Sequence, residues 1–220
     1  MLHYLICLIL PDTLNYRKNK TMNIILSTRN PSKAEQIKAM FTNPLIKVFT
    51  LDEAGIDGEA IEDGHTLGEN ALKKVLYVKE RLTEPAWIMA DDTGLYINAL
   101  NGEPGIHAAR WAGNVSTDDI TKHTLQQLEG KTDRSATFKT VVYLFTPDGR
   151  EMQFEGAVNG ILLDAPRTKP QPKMPYSPLF IPEGTDKVWA EMTVDEENAV
   201  SHRGKAFRKL VSFLEDELKN

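Results

Sequence analysis

The chain has 220 residues (24.7 kDa), with 26 Lys and Arg against 31 Asp and Glu for a net charge of −5, 41% hydrophobic residues and a single cysteine, Cys7. That is the composition of an ordinary globular domain, long enough for a sizeable core, and it excludes disordered, collagenous and disulfide-scaffold classes. No cysteine–histidine spacing fits zinc, and the acidic balance lacks the clustered positive charge that nucleic-acid binding needs, so a soluble protein of the cytoplasm is expected.

Residues 1–10 form an apolar run about half as long as a membrane-spanning helix requires, without a basic start or a small-residue cleavage site. Arg17, Lys18 and Lys20 follow, and Met22 stands directly before a strand-like run. We therefore expect 1–21 to be a leader outside the core and 22–220 to be the folded domain, with no membrane partner; the rival reading of 1–21 is a weak membrane or partner anchor. A strand near 24–26 then meets Asn30-Pro31-Ser32-Lys33, where Asn30 can cap a helix and Pro31 suits its first turn, because the missing N–H would be unpaired there anyway. Ile37, Met40 and Phe41 continue that helix at its own spacing.

A second helix is predicted over about 67–82, with Leu72, Val75, Leu76 and Leu82 on one face. Residues 86–90 predict a short buried strand that delivers Asp91 and Asp92 to its end, followed by a turn-rich loop at 101–105. Next come a helix over 117–128 and a hairpin of strands near 137–145 and 152–158 around Pro147-Asp148-Gly149. Residues 164–178 carry five prolines and predict a loop. The last helix is the clearest: Ser201 can cap it, and Phe207, Leu210, Val211, Leu214 and Leu218 form one stripe. Helices and strands that alternate before a hairpin intervenes predict an α/β fold with a mixed sheet.

Three clusters can carry chemistry. The strand-to-helix turn 27–33 presents backbone N–H groups, a helix dipole and Lys33 to a phosphate, although a polar cap followed by lysine is also an ordinary helix start. Glu62, Asp63, Glu69, Asp91 and Asp92 supply hard oxygens without histidine or cysteine, a set suited to Mg²⁺ shared with a phosphate chain. Acids near a helix start also favour the dipole without any metal, which serves Asp63 and Glu69 but not Asp91 and Asp92, two carboxylates on an apolar strand that need cations or hydrogen bonds. Third, His202 and Arg203 stand at a helix start, where positive charge is disfavoured unless an anion lies in front of it; a solvated basic turn is the alternative. Trp87, Trp111 and Trp189 are expected to pack in the core or a lobe, and no nucleophile setting points to covalent catalysis.

Taken in order, these clusters resemble the inosine/xanthosine triphosphate pyrophosphatases. Thr28, Asn30 and Lys33 match that family's Thr-x-Asn-x-x-Lys loop, and Glu69-Asn70-Ala71 with Lys74 matches its Glu-Asn-Ala run. The stretch 90–95 matches Ala-Asp-Asp-[Ser/Thr]-Gly-Leu, Gly102 to Arg110 matches Gly-x-Pro-Gly…Ala-Arg, and 201–204 is Ser-His-Arg-Gly. The resemblance implies an elongated two-lobed fold around a mixed, strongly twisted sheet with a central cleft, in a homodimer. It implies Mg²⁺-dependent cleavage of a non-standard purine nucleoside triphosphate (ITP, dITP or XTP) to the monophosphate and pyrophosphate. Carried over by position, Asp92 is the general base or the activator of a metal-bound water and itself a metal ligand, Glu62 a metal ligand, and Asp91 and Glu69 supporting acids at the metal. Thr28, Asn30, Lys33, Lys74 and Thr93 would hold the phosphates, and Lys187, His202 and Arg203 the base.

One stretch departs from the family. Its Gly-Gly-Phe-Gly-Tyr-Asp-Pro-x-Phe loop is here 172–180, in which Tyr176, Pro178 and Phe180 remain while Met174 replaces the stacking phenyl, Pro175 a glycine and Ser177 the acid. Met174, Tyr176 and Ser177 thus become the base-binding residues of this loop, and methionine covers a base less directionally. A shifted base preference, extending to other modified purine or pyrimidine nucleotides, is one alternative; a nucleotide-binding module without catalysis is the other.

Overall fold

A computed structural model of the chain describes residues 21–113 and 115–219. The leader expected over 1–21 lies, apart from Thr21, outside the described residues. Strand β1 (Met22–Leu26) pairs in parallel with β2 (Ile46–Thr50) on one side and with β3 (Trp87–Ile97) on the other. The two-residue β4 (Pro104–Gly105) and β5 (Ser135–Phe145) run antiparallel to β3, β6 (Glu151–Leu162) antiparallel to β5, and β7 (Phe180–Pro182) antiparallel to β6. The sheet is mixed, in the order β2-β1-β3-β5-β6-β7 with β4 on β3, and the fold is α/β as expected.

The helices are α1 (Pro31–Ala39), α2 (Leu67–Lys79), α3 (Thr117–Gln127), α4 (Val194–Val200) and α5 (His202–Lys219). Their starts are set by side-chain caps: Asn30 accepts from the Lys33 N–H, Thr66 from Glu69, Ser116 from Asp119 and Ser201 from Gly204. No helix among the described residues is long and apolar enough to cross a membrane.

The strand that ends at Asp91 in the sequence analysis continues to Ile97, because β5 pairs with it over its whole outer length, from Ile88 to Ile97. Asp91 and Asp92 are therefore mid-strand, and the pleat sends them to opposite faces of the sheet. On the Asp91 face, Trp87 and Met89 join Val142 and Leu144 of β5 and Phe207, Leu210 and Leu214 of α5 in one apolar cluster. Further along the same face, Leu95 and Ile97 join Ala136 and Phe138 of β5 and Ile120 of α3 in a second. Between the two clusters lies a polar row, Asp91 and Thr93 with Thr140 opposite, and Gly156 of β6 beside Thr140. A Cβ on Gly156 would lie 2.1 Å from the His202 carbonyl oxygen, so the missing side chain is what lets the start of α5 sit on the sheet at this row. On the Asp92 face, Ile25, Ile88, Ala90 and Tyr143 pack against Ala71, Val75 and Val78 of α2. Trp87 belongs to the first cluster and Trp189 to the second, with Trp111 packed against it, as expected.

Candidate functional site

Thr93 of the polar row borders a cleft of about 460 Å³. Thr28, Asn30 and Lys33 reach it from the β1–α1 turn, Lys74 from α2, and Asp92 and Thr93 from β3. Glu62 enters from the segment before α2, Met174, Tyr176 and Ser177 from the loop before β7, and His202 and Arg203 from α5. Residues scattered over the sequence thus converge on one cavity.

Asp91 is not among the cleft-lining residues. It is 1% exposed, with Lys33 Nζ 3.1 Å and Arg203 Nε 3.4 Å from its Oδ2. Burial by itself would raise its pKa, yet the Lys33, Arg203 and Lys74 cations hold the carboxyl far below the usual carboxylate range. Arg203 is fixed from a second side, where its Nη1 donates to Gln36 Oε1 at 2.6 Å. Burial pulls the Lys33 pKa down, and Asp91 is the main opposing charge. The anion expected in front of the basic helix start is therefore, for Arg203, the protein's own Asp91.

Asp92 faces a different set. Lys74 Nζ lies 3.1 Å from Asp92 Oδ1 and 3.1 Å from Glu62 Oε1, while Asn70 Nδ2 donates to Asp92 Oδ2 at 3.1 Å. Burial lowers the Lys74 pKa, but Asp92, Glu62 and Asp91 together raise it, so the side chain stays a cation. Asn70 also ties down the segment that carries Glu62, since its Oδ1 accepts from the Gly64 N–H at 2.9 Å. Arg110 reinforces this by donating from Nη2 to the Glu62 carbonyl at 2.9 Å. Among the described residues no three His, Cys, Asp or Glu side chains form a ready-made metal site. Mg²⁺ held jointly with phosphates needs only one or two carboxylates, and Glu62 and Asp92 already converge on one cation, the Lys74 ammonium. The donor set fits.

Two expected residues lie elsewhere. Glu69 Oε2 accepts from the His65 N–H at 2.7 Å, so the side chain ties off the start of α2 outside the cleft; the dipole role that any acid can fill there is the one it takes. Lys187 is on the surface, 2.7 Å from Glu196, away from the cleft lining. Ser177 lines the cleft, but its hydroxyl is engaged inside its own loop, accepting from Gln171 N and donating to the Met174 carbonyl. Tyr176 likewise donates to the Ala108 carbonyl at 2.8 Å, and Thr93 pairs with Thr140 at 2.7 Å.

Phe138 and His202 also line the cleft and stack on each other with ring centres 5.0 Å apart and planes at 20°. Among the described residues neither ring nitrogen of His202 has a partner, and burial drives its pKa well below the usual value, which favours the neutral imidazole. Sequence reasoning gave no role to Asn70 or Arg110, although both stand inside recognised motifs. It missed Phe138, Gln36 and Glu197 altogether, residues that look like ordinary strand or helix positions until tertiary contacts bring them to the site.

The Ham1 family matches residues 24–213 of the chain. A dITP/XTP pyrophosphatase of Thermoanaerobacter pseudethanolicus is 38% identical over 196 residues, covering 88% of this chain and 96% of the relative. Another of that name, from Desulfotalea psychrophila, is 40% identical over 188 residues, 85% of this chain and 82% of the relative. The solved structure of the Staphylococcus aureus Ham1 protein superposes with a TM-score of 0.75 at 34% identity, covering 89% of this chain and 99% of that one.

Proposed function

The chain belongs to the Ham1 family, and from that premise we propose that it hydrolyses non-standard purine nucleoside triphosphates (ITP, dITP and XTP) to the monophosphate and pyrophosphate with Mg²⁺. The observation that carries this reading is the convergence of Asp92, Glu62 and Lys74 on the cleft that the β1–α1 turn and the start of α5 also line. The names of the two relatives support the substrate class.

Glu62 and Asp92 would hold Mg²⁺, which when bound supplies neutralisation of the triphosphate charge. The positive end of the α1 dipole, with Thr28 and Asn30, receives phosphate oxygens, although Pro31 has no N–H and the Lys33 N–H is taken by the Asn30 cap. Lys33 and Lys74 offset the charge that develops on the departing pyrophosphate. The Asn70 amide fixes one oxygen of Asp92, and the carboxylate orients and deprotonates a water directed at the α-phosphorus. His202 and Arg203 are donors for a 6-oxo group, whereas the 6-amino group of adenine would leave those donors unpaired.

The test is a panel of nucleoside triphosphates assayed for pyrophosphate release with and without Mg²⁺. ITP, dITP and XTP should be cleaved in its presence, with the adenosine and pyrimidine nucleotides slower by at least about a hundredfold. Binding without pyrophosphate release from any of them would leave a non-catalytic nucleotide-binding module. The closed-off Ser177 hydroxyl and Met174 favour one second reading, a base preference shifted towards other modified nucleotides, which the same panel separates. The reading includes the homodimer and the cytoplasmic location that the resemblance implies, the first open to sedimentation analysis.

A further inference from the structure

Glu197 is a carboxyl group that the chemistry above does not use. It belongs to α4, is 2% exposed, and lines the cleft beside His202 and Arg203. Burial raises its pKa, and its polar neighbours are Arg203 and the Gln36 and Gln171 side chains. Among the described residues it has no ion pair of the kind that compensates Asp91, only the Gln36 and Gln171 side chains as hydrogen-bond partners, and a buried carboxyl on a cavity wall is costly without a cation. Among the described residues both ring nitrogens of His202, on the same cleft, and Oε1 of Gln171, whose side chain hydrogen-bonds Glu197, are buried with no partner.

Resting on the nucleotide reading, we propose that Glu197 is a specificity-determining residue whose carboxylate accepts the N1–H of a 6-oxopurine and disfavours a carbonyl at C2. Gln36 links the two groups involved, since it accepts from Arg203 Nη1 and lies within hydrogen-bonding reach of Glu197. Arg203 Nε and Nη1 are engaged by Asp91 and Gln36, and among the described residues Nη2 makes no hydrogen bond. A cationic donor next to a carboxylate acceptor matches the adjacent C6 oxygen and N1–H of hypoxanthine. Xanthine presents the same pair but adds an oxygen at C2, and its ring is the stronger acid, so it brings negative charge towards Glu197. Discrimination then comes from a repulsive contact built against one base.

The full-length protein, Glu197→Gln and Glu197→Ala would be compared by kcat/KM for ITP and XTP, and by calorimetric Kd for the products IMP and XMP. The wild type should prefer ITP, and in Glu197→Gln, whose amide can donate to the C2 oxygen, the XTP-to-ITP ratio should rise about tenfold. Glu197→Ala should raise it less, and the affinity ratio of XMP to IMP should move in the same direction. Ratios unchanged within about twofold in both variants would overturn the proposal while leaving the activity standing. If the wild type cleaves no triphosphate but the monophosphate ratio still shifts, the activity falls and the base contact stands. If it binds neither monophosphate, both fall.

Discussion

Asp91 and Asp92 are neighbours in the chain and belong to two different regions of the molecule. Asp91 lies under α5, sealed between two cations that are themselves largely buried; Asp92 lies under α2, on the cleft wall, with one lysine and one amide for company. The two-residue period of a β-strand makes this division, sending one carboxylate into a closed ion cluster and the next to where a ligand can reach it. Identical side chains thus sit in opposite settings: the first pairs with Lys33 and Arg203 away from the cleft lining, and the second lines the cleft.

That contrast can be broken by exchanging the two losses. Asp91→Ala should cost the most, about 3–5 kcal/mol of stability, because it strands Lys33 and Arg203 as buried, uncompensated cations. Thermal or denaturant unfolding measures this, and a loss below about 1 kcal/mol would mean that the cluster is not structural. The same pair predicts a pH dependence. The folded-state pKa of Asp91 lies below its unfolded value, so its contribution is complete above the unfolded carboxyl pKa of about 3.9 and disappears as the pH falls towards the lower folded value. Acidification below about pH 4 should therefore destabilise the wild type more steeply than Asp91→Asn.

Asp92→Asn should lower kcat by at least about a hundredfold, the scale of a general base, with a smaller stability loss than Asp91→Ala because Glu62 still pairs with Lys74. Near-normal turnover would move the base elsewhere in the cleft. The smallest effect is expected at Lys187→Ala, whose partner Glu196 is on the surface: kcat/KM for ITP should change by less than about twofold. A large loss there would return Lys187 to the base-binding set and redraw the cleft.

The β1–α1 side of the cleft was far more legible in the sequence than the α4–α5 side. Asn30, Pro31 and Lys33 announce a helix start through local rules of capping and backbone geometry, and the structure has that start at Pro31 with Asn30 as its cap. The last helix is likewise readable from its own stripe, which Phe207, Leu210 and Leu214 bury in the first cluster. The division between Asp91 and Asp92 was hidden because Thr93-Gly94 resembles a strand end, and only pairing with β5 carries β3 on to Ile97. That Glu69 and Lys187 lie outside the cleft was hidden for a related reason: an acid in a first helical turn and a lysine near a basic motif each satisfy local patterns with two outcomes, and only tertiary position separates them. Gln36 and Glu197 left no signal, since their proximity to Arg203 comes from the packing of α1 and α4 around α5.

The most direct test of the central claim, that water is activated on the Asp92 side and directed at the α-phosphorus, is hydrolysis of ITP in oxygen-18-labelled water with mass spectrometry of both products. The account predicts one labelled oxygen in the monophosphate and none in the pyrophosphate. Label in pyrophosphate, or release of inorganic phosphate in its place, would contradict it.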